Sequence, residues 1–146
     1  MKNNQKVRIG CASAFWGDTS TAAKQLVNKG DLDYLVFDFL AEVTMSILAR
    51  AKLKNSEKGF ASDFLTQIEP LLPKIKQKGI KILTNAGGIN PISCRTILEK
   101  AAKKRGIDLN IGIVTGDDLI PELPKIKKLG VTELDTGNPF PKSCLS

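Results

Sequence analysis

The sequence predicts an α/β fold built on a mostly parallel sheet, and three observations predict it. Four short apolar runs rich in Val, Ile and Leu alternate with helical patterns. Several of these runs are continuous in apolar residues instead of alternating with polar ones, and glycines stand where three of the helical patterns end. Continuous runs suit strands covered by helices on both faces, which gives a three-layer, Rossmann-like or flavodoxin-like sheet. A partial barrel produces the same one-dimensional pattern. With 146 residues, 42% of them hydrophobic, the chain is long enough to bury one core, so residues 1–146 read as a single domain.

In order, the polar residues 1–6 lead into a first strand over 7–11, followed by a helical pattern over 19–28 and a second strand over 34–37. The stretch from 39 to 77 is longer than one crossover helix requires. A polar break at 54–59 divides it into two helices, and Pro70 and Pro73 interrupt the second as a kink or as a stop and restart. A third strand over 80–83 runs into Asn85, Gly87 and Gly88, and Asn90-Pro91 then opens a helix over 91–104. A fourth strand is expected over 109–114, with a helix over 117–128 after it. Gly30, Gly79 and Gly106 are expected to close helices as C′ glycines. After a possible short strand at 131–134 the chain is rich in turn residues and stops without a closing helix, so the sheet is expected to be incomplete at its C-terminal end.

The net charge of +7 invites a nucleic-acid reading, but the lysines and arginines cluster in the last turns of the expected helices, where cations complement the helix dipole. One Tyr and one Trp make no stacking platform for bases, so no nucleic-acid partner is expected. No run is long enough to span a bilayer and no secretory signal opens the chain, which places the protein in the cytoplasm without a membrane partner. Cys11, Cys94 and Cys144 are widely spaced and odd in number, so free thiols are expected, with Cys11 in the core. Histidine is absent, which removes Ser-His and Cys-His nucleophile pairs and leaves carboxylates, Cys, Lys and hydroxyls for any chemistry.

In a parallel sheet ligands sit beyond the carboxyl ends of the strands, and the polar residues there are the candidates. The first junction offers Ser13, Trp16, Gly17 and Asp18, and the second Asp38 with Glu42 one helical turn on. The third offers Asn85, Gly87, Gly88 and Asn90, and the fourth Asp117 and Asp118. Asp38 sits between Phe37 and Phe39, where an unpartnered buried carboxylate is costly, so it is expected in a site together with Glu42. Asp38, Asp18 and Glu42 are the candidates for moving a proton. The Gly87-Gly88 turn and the Asn90 helix start are the candidates for holding an anion, although two glycines also make a plain tight turn. Asp18 and Asp117 equally suit helix capping, and Trp16 equally suits covering the core. Cys94, in the first turn of its helix, reads as a nucleophile or as a packing residue. The acidic set offers oxygen ligands for a hard cation, but spacing alone does not show that it converges, so metal and cofactor stay undetermined.

Four blocks, taken together, resemble the N-terminal part of the AtuA-like family, the acyclic terpene utilisation proteins of microbial citronellol and geraniol breakdown. They are Arg8-Ile9-Gly10 through Ser13-Ala14-Phe15-Trp16-Gly17-Asp18; Leu32-Asp33-Tyr34-Leu35 through Asp38-Phe39-Leu40-Ala41-Glu42-Val43-Thr44-Met45; Thr84-Asn85-Ala86-Gly87-Gly88-Ile89-Asn90-Pro91; and Gly116-Asp117-Asp118-Leu119. The resemblance implies a metabolic protein that processes branched acyl intermediates as CoA thioesters, and it assigns no catalytic residue; with the glycine turn and helix start, the expected ligand is an anionic metabolite, a phosphate or an acyl-CoA-like compound. It also implies a chain shorter than its relatives. The alternative is a non-catalytic interaction module or fragment that completes its sheet by association, as a homo-oligomer or with a missing C-terminal portion.

Overall fold

The computed structural model describes residues 6–142. Its centre is a parallel sheet of three strands, β1 (Ile9–Ser13), β2 (Tyr34–Phe37) and β3 (Lys81–Thr84), in the order β1-β2-β3. Between β1 and β2 lies α1 (Ala22–Lys29). Between β2 and β3 lie α2 (Glu42–Lys54), α3 (Ser62–Ile68), a 3₁₀ turn (Glu69–Leu71) and α4 (Leu72–Lys78). α5 (Pro91–Lys104) follows β3. Pro70 and Pro73 mark a stop and a restart: each occupies the opening turn of its short helix, where a missing N–H costs nothing.

One face of the sheet carries the core. Ala12, Leu35 and Phe37 are buried against Ala23 and Val27 of α1, Phe64 and Ile68 of α3, Leu72 and Ile75 of α4 and Cys94 of α5. Phe37 stacks on Phe39 with centroids 5.8 Å apart and meets Phe64 edge-on at 5.2 Å, so three rings, from β2, the loop just after it and α3, lock the sheet to α3. The opposite face is uncovered among the described residues. Ile9 is 65% and Leu83 51% exposed there, and Lys81 lies over the Tyr34 ring. The expected second helical layer is therefore not seen. The order β1-β2-β3 never reverses, and crossovers that advance a sheet in one direction with the usual hand set their helices on a single face.

Other expectations change as well. Residues 109–114 form no strand of the sheet, and the helix expected over 117–128 is a 3₁₀ turn (Ile120–Glu122) followed by the short α6 (Leu123–Lys128), divided by Pro121 and Pro124. Around 131–134 only an isolated antiparallel bridge forms, Thr132 to Pro139. Cys11 is exposed because its strand position turns it to the bare face; Cys144 lies outside the described residues. All three glycines close their helices: Gly79 and Gly106 with φ of 67° and 66°, and Gly30 in an extended conformation, where an added Cβ would meet the Leu26 carbonyl oxygen at 2.5 Å.

Lysines do end α1, α2, α4, α5 and α6, as the charge pattern predicts. The Lys78 ammonium donates to the Gly30 carbonyl at 3.1 Å, neutralising the carbonyl end of α1. At the amino end of the sheet Arg8 pairs with Asp31 and Asp33, and its hydrogen bonds hold the Asp33 carboxyl below the usual carboxylate range. That pairing favours the fold above the unfolded carboxyl pKa and is lost as the pH falls through the lowered value.

Candidate functional site

The carboxyl ends of β1, β2 and β3 meet at one rim, and three sequence-predicted residues join there. An irregularity in the β1–β2 pairing between Cys11 and Ser13 shifts the register at the end of β1. The buried Ser13 then donates from Oγ to the Asp38 carbonyl at 3.0 Å, while the Asp38 N–H donates to the Ser13 carbonyl at 3.1 Å. Asn85, just past β3, donates from Nδ2 to Asp38 Oδ1 at 2.7 Å and accepts the Phe39 N–H at Oδ1 at 2.8 Å. The Leu40 N–H also reaches Asp38 Oδ1, at 3.2 Å. Asp38 Oδ2 accepts nothing among the described residues, and the residue is exposed.

Asp38 is thus exposed, not buried as its apolar neighbours suggest. Phe37 and Phe39 both enter the core, and period-two alternation turns the residue between them outward. The result is a carboxylate with one oxygen clamped and the other free. Glu42 opens α2 and is exposed, with no hydrogen bond to Asp38.

The Gly87-Gly88 turn is built for packing. Most of its N–H groups are used internally: Ala86 donates to Thr84 Oγ1, Gly88 to the Asn85 carbonyl, Ile89 to the Gly59 carbonyl and Asn90 to the Gly87 carbonyl, while the Gly87 N–H has no partner among the described residues. Gly88 has φ of 51°, and an added Cβ would meet Leu48 Cδ1 at 2.4 Å and the Gly59 oxygen at 2.8 Å. Asn90 caps α5, as expected, by accepting the Ser93 N–H. Its Nδ2 donates to the Ser56 and Lys58 carbonyls at 2.8 Å each, so the side chain is spent on tethering the loop after α2. Positive charge at this turn comes from a residue the sequence does not single out. Lys52 of α2 donates to the Ile89 carbonyl at 2.8 Å, a placement that depends on how α2 packs and leaves no signal in the local sequence.

Beside the rim, Gly17, Asp18, Thr19 and Ser20 face Asp63 and Gln67 of α3 across a cleft of about 440 Å³. Asp18 caps a turn instead of a helix, accepting the Ala14 N–H at 2.9 Å. The Gln67 Oε1 is buried with no hydrogen-bond partner among the described residues. Trp16 is half-buried against the core cluster. Asp117 and Asp118 are exposed on the segment that leaves the sheet. Asp118, not Asp117, does the capping there, accepting the Ile120 N–H at 3.0 Å. Among the described residues no three His, Cys, Asp or Glu side chains gather to hold a metal ion.

Cys94 is a packing residue. It is 6% exposed, and burial pushes its thiol from an ordinary 9.0 up to about 11. The buried neutral thiol favours the fold fully below the unfolded thiol pKa and loses that contribution as the pH rises from about 9 toward about 11. In a Cys144→Ser background, a thiol reagent at pH 8 is expected to label Cys11 promptly and Cys94 only after denaturation. Equal labelling rates in the folded protein would contradict this assignment.

No helix among the described residues is long and apolar enough to cross a membrane. No curated protein and no solved structure matches the chain. The family described as acyclic terpene utilisation family protein AtuA matches residues 7–145 and so takes in Ser13, Asp38, Asn85 and the rim they build; the chain belongs to that family.

Proposed function

We propose that this protein acts in acyclic terpene utilisation by binding an anionic, acyl-bearing metabolite at the strand carboxyl ends, with Asp38 meeting the ligand. The observation that carries the reading is the Asp38–Asn85 bond. A carboxylate held through one oxygen by an amide that is itself fixed by the Phe39 N–H keeps its other oxygen without a partner among the described residues, on an exposed residue. Such an oxygen accepts a hydrogen bond, or a proton, from a hydroxyl or an acidic position of a ligand. The Lys52 ammonium, held on the Ile89 carbonyl, supplies charge for an anionic group beside the glycine turn. Binding makes the protein an enzyme only if Asp38 then transfers that proton.

Isothermal titration with CoA, a short acyl-CoA and a nucleotide tests the reading. At least one is expected to release heat, and Lys52→Ala to weaken that binding about tenfold, the value of one charge-assisted hydrogen bond. Asp38→Asn keeps the fold and is expected to alter recognition of the acyl part while leaving CoA itself bound. Absence of heat with every ligand would rule the reading out. A second reading, an interaction module that completes its sheet by association, is favoured by the bare sheet face with Ile9 and Leu83 exposed. Heats of dilution in the same instrument, from an oligomer coming apart, would support it.

A further inference from the structure

Among the described residues β3 is hydrogen-bonded on one side only, to β2. The Lys81 N–H donates toward β2, to the Asp33 carbonyl at 3.0 Å, so alternation turns the N–H groups of Ile82 and Thr84 outward. Neither has a backbone partner among the described residues. A free edge of this kind takes up another strand.

The chain carries a segment suited to that edge. Residues 107–114 contain no helix or turn, and their burial alternates: Ile107, Leu109, Ile111 and Ile113 are half-buried, whereas Asp108, Asn110, Gly112 and Val114 are exposed. That period of two belongs to a strand with one covered face. Its first half is already anchored. Ile107 and Leu109 pack on the core cluster, the Ile107 N–H donates to the Ala102 carbonyl at 3.0 Å, and the Lys76 ammonium approaches the Asp108 carbonyl at 3.4 Å. Beyond Ile113 the anchoring stops, and Val114 is 96% exposed. The preceding α5 packs on α3 in the same helical layer as α1, so β3, α5 and this segment repeat the layout of β1, α1 and β2.

We propose that residues 109–114 dock on the outer edge of β3 as a fourth parallel strand, in equilibrium with the undocked arrangement, and that docking brings Thr115, Gly116, Asp117 and Asp118 to the rim beside Asn85. The sheet order then becomes 1-2-3-4 with three like crossovers. The segment acts as a strap: undocked, the rim consists of three strand ends; docked, it gains two carboxylates and a hydroxyl. Only this consequence for the ligand rests on the binding reading above. The docking itself does not.

Hydrogen exchange of the full-length protein, resolved by amide, tests the docking without any ligand, so its failure is distinct from a failure of the titration. The Ile82 and Thr84 amides are expected to exchange at least about tenfold more slowly than unprotected chain. Ile111→Pro and Gly112→Pro remove N–H groups on opposite phases of the alternation, so one of them breaks the new ladder in either register. That variant is expected to release Ile82 and Thr84 while leaving the Leu35 amide in the central strand protected, which shows the core still folded. Unprotected Ile82 and Thr84 in the parent, or protection unchanged in both variants, would overturn the proposal. Protection that grows with protein concentration would also overturn it, in favour of a strand supplied by a second copy.

Discussion

Phe37→Ala is expected to lower the unfolding free energy by about 3–5 kcal/mol, the cost of truncating a buried aromatic without full collapse of the cavity. Phe37 is 1% exposed and lies between Phe39, stacked at 5.8 Å, and Phe64, edge-on at 5.2 Å. The central strand is where the sheet is paired on both sides, so a cavity there loosens both the sheet and its attachment to α3. Against a typical domain stability of about 5–15 kcal/mol, such a loss is expected to leave a substantial unfolded fraction at moderate urea. Urea denaturation followed by circular dichroism measures it. A loss below about 1 kcal/mol would mean that the three rings do not form the centre of the core. The same variant bears on the site, because Phe37 and Phe39 entering the core are what turns Asp38 outward.

Gly88→Val is expected to cost about 2–4 kcal/mol, from a left-handed backbone that a β-branched residue resists and from overpacking. The φ of 51° sets the first part, and Leu48 Cδ1 at 2.4 Å with the Gly59 oxygen at 2.8 Å sets the second. Leu48 is only 1% exposed and has no room to retreat. Relief requires α2 or the loop before α3 to move, which strains the Ile89-to-Gly59 and Ala61-to-Ala86 hydrogen bonds. Gly79→Ala separates the two causes. Gly79 has φ of 67° but nothing within 4 Å of an added Cβ, so it isolates backbone strain at about 1 kcal/mol. If Gly88→Val costs no more than Gly79→Ala in thermal or urea unfolding, the close approach of α2 to the turn is wrong. A stability loss at Gly88 also places the glycine pair in the architecture, since a glycine that merely gave a ligand access would lose binding and keep its fold.

Much of the fold is legible in the primary structure because the signals are local. Three apolar runs became β1, β2 and β3, Pro70 and Pro73 interrupted the helix as expected, and Asn90-Pro91 opened α5, since capping and proline geometry act within one turn. The fourth run failed for a non-local reason. Residues 109–114 have strand composition and strand-like alternation, but strand formation requires a ladder, and nothing within a run of six residues reports whether a partner edge accepts it. The site divides in the same way. Asp38 and Asn85 stand out as polar residues at strand ends, yet their 2.7 Å bond spans 47 positions of chain. Lys52, Asp63 and Gln67 carry no local mark at all, because helix packing alone brings them to the rim and its cleft.

By itself, then, the order of residues determined the α/β alternation, the caps and breaks of the helices, the placement of lysines at helix ends and the family to which the chain belongs. These follow from propensities and periodicities that act over one or two turns, and from motifs read in sequence. Tertiary structure alone decided that α1, α3, α4 and α5 lie on one face of the sheet, that Asp38 turns to solvent with one oxygen clamped, and that the glycine pair serves packing. Each of these depends on which distant segments touch, and a contact between segments is a property of the packed chain that no local stretch encodes.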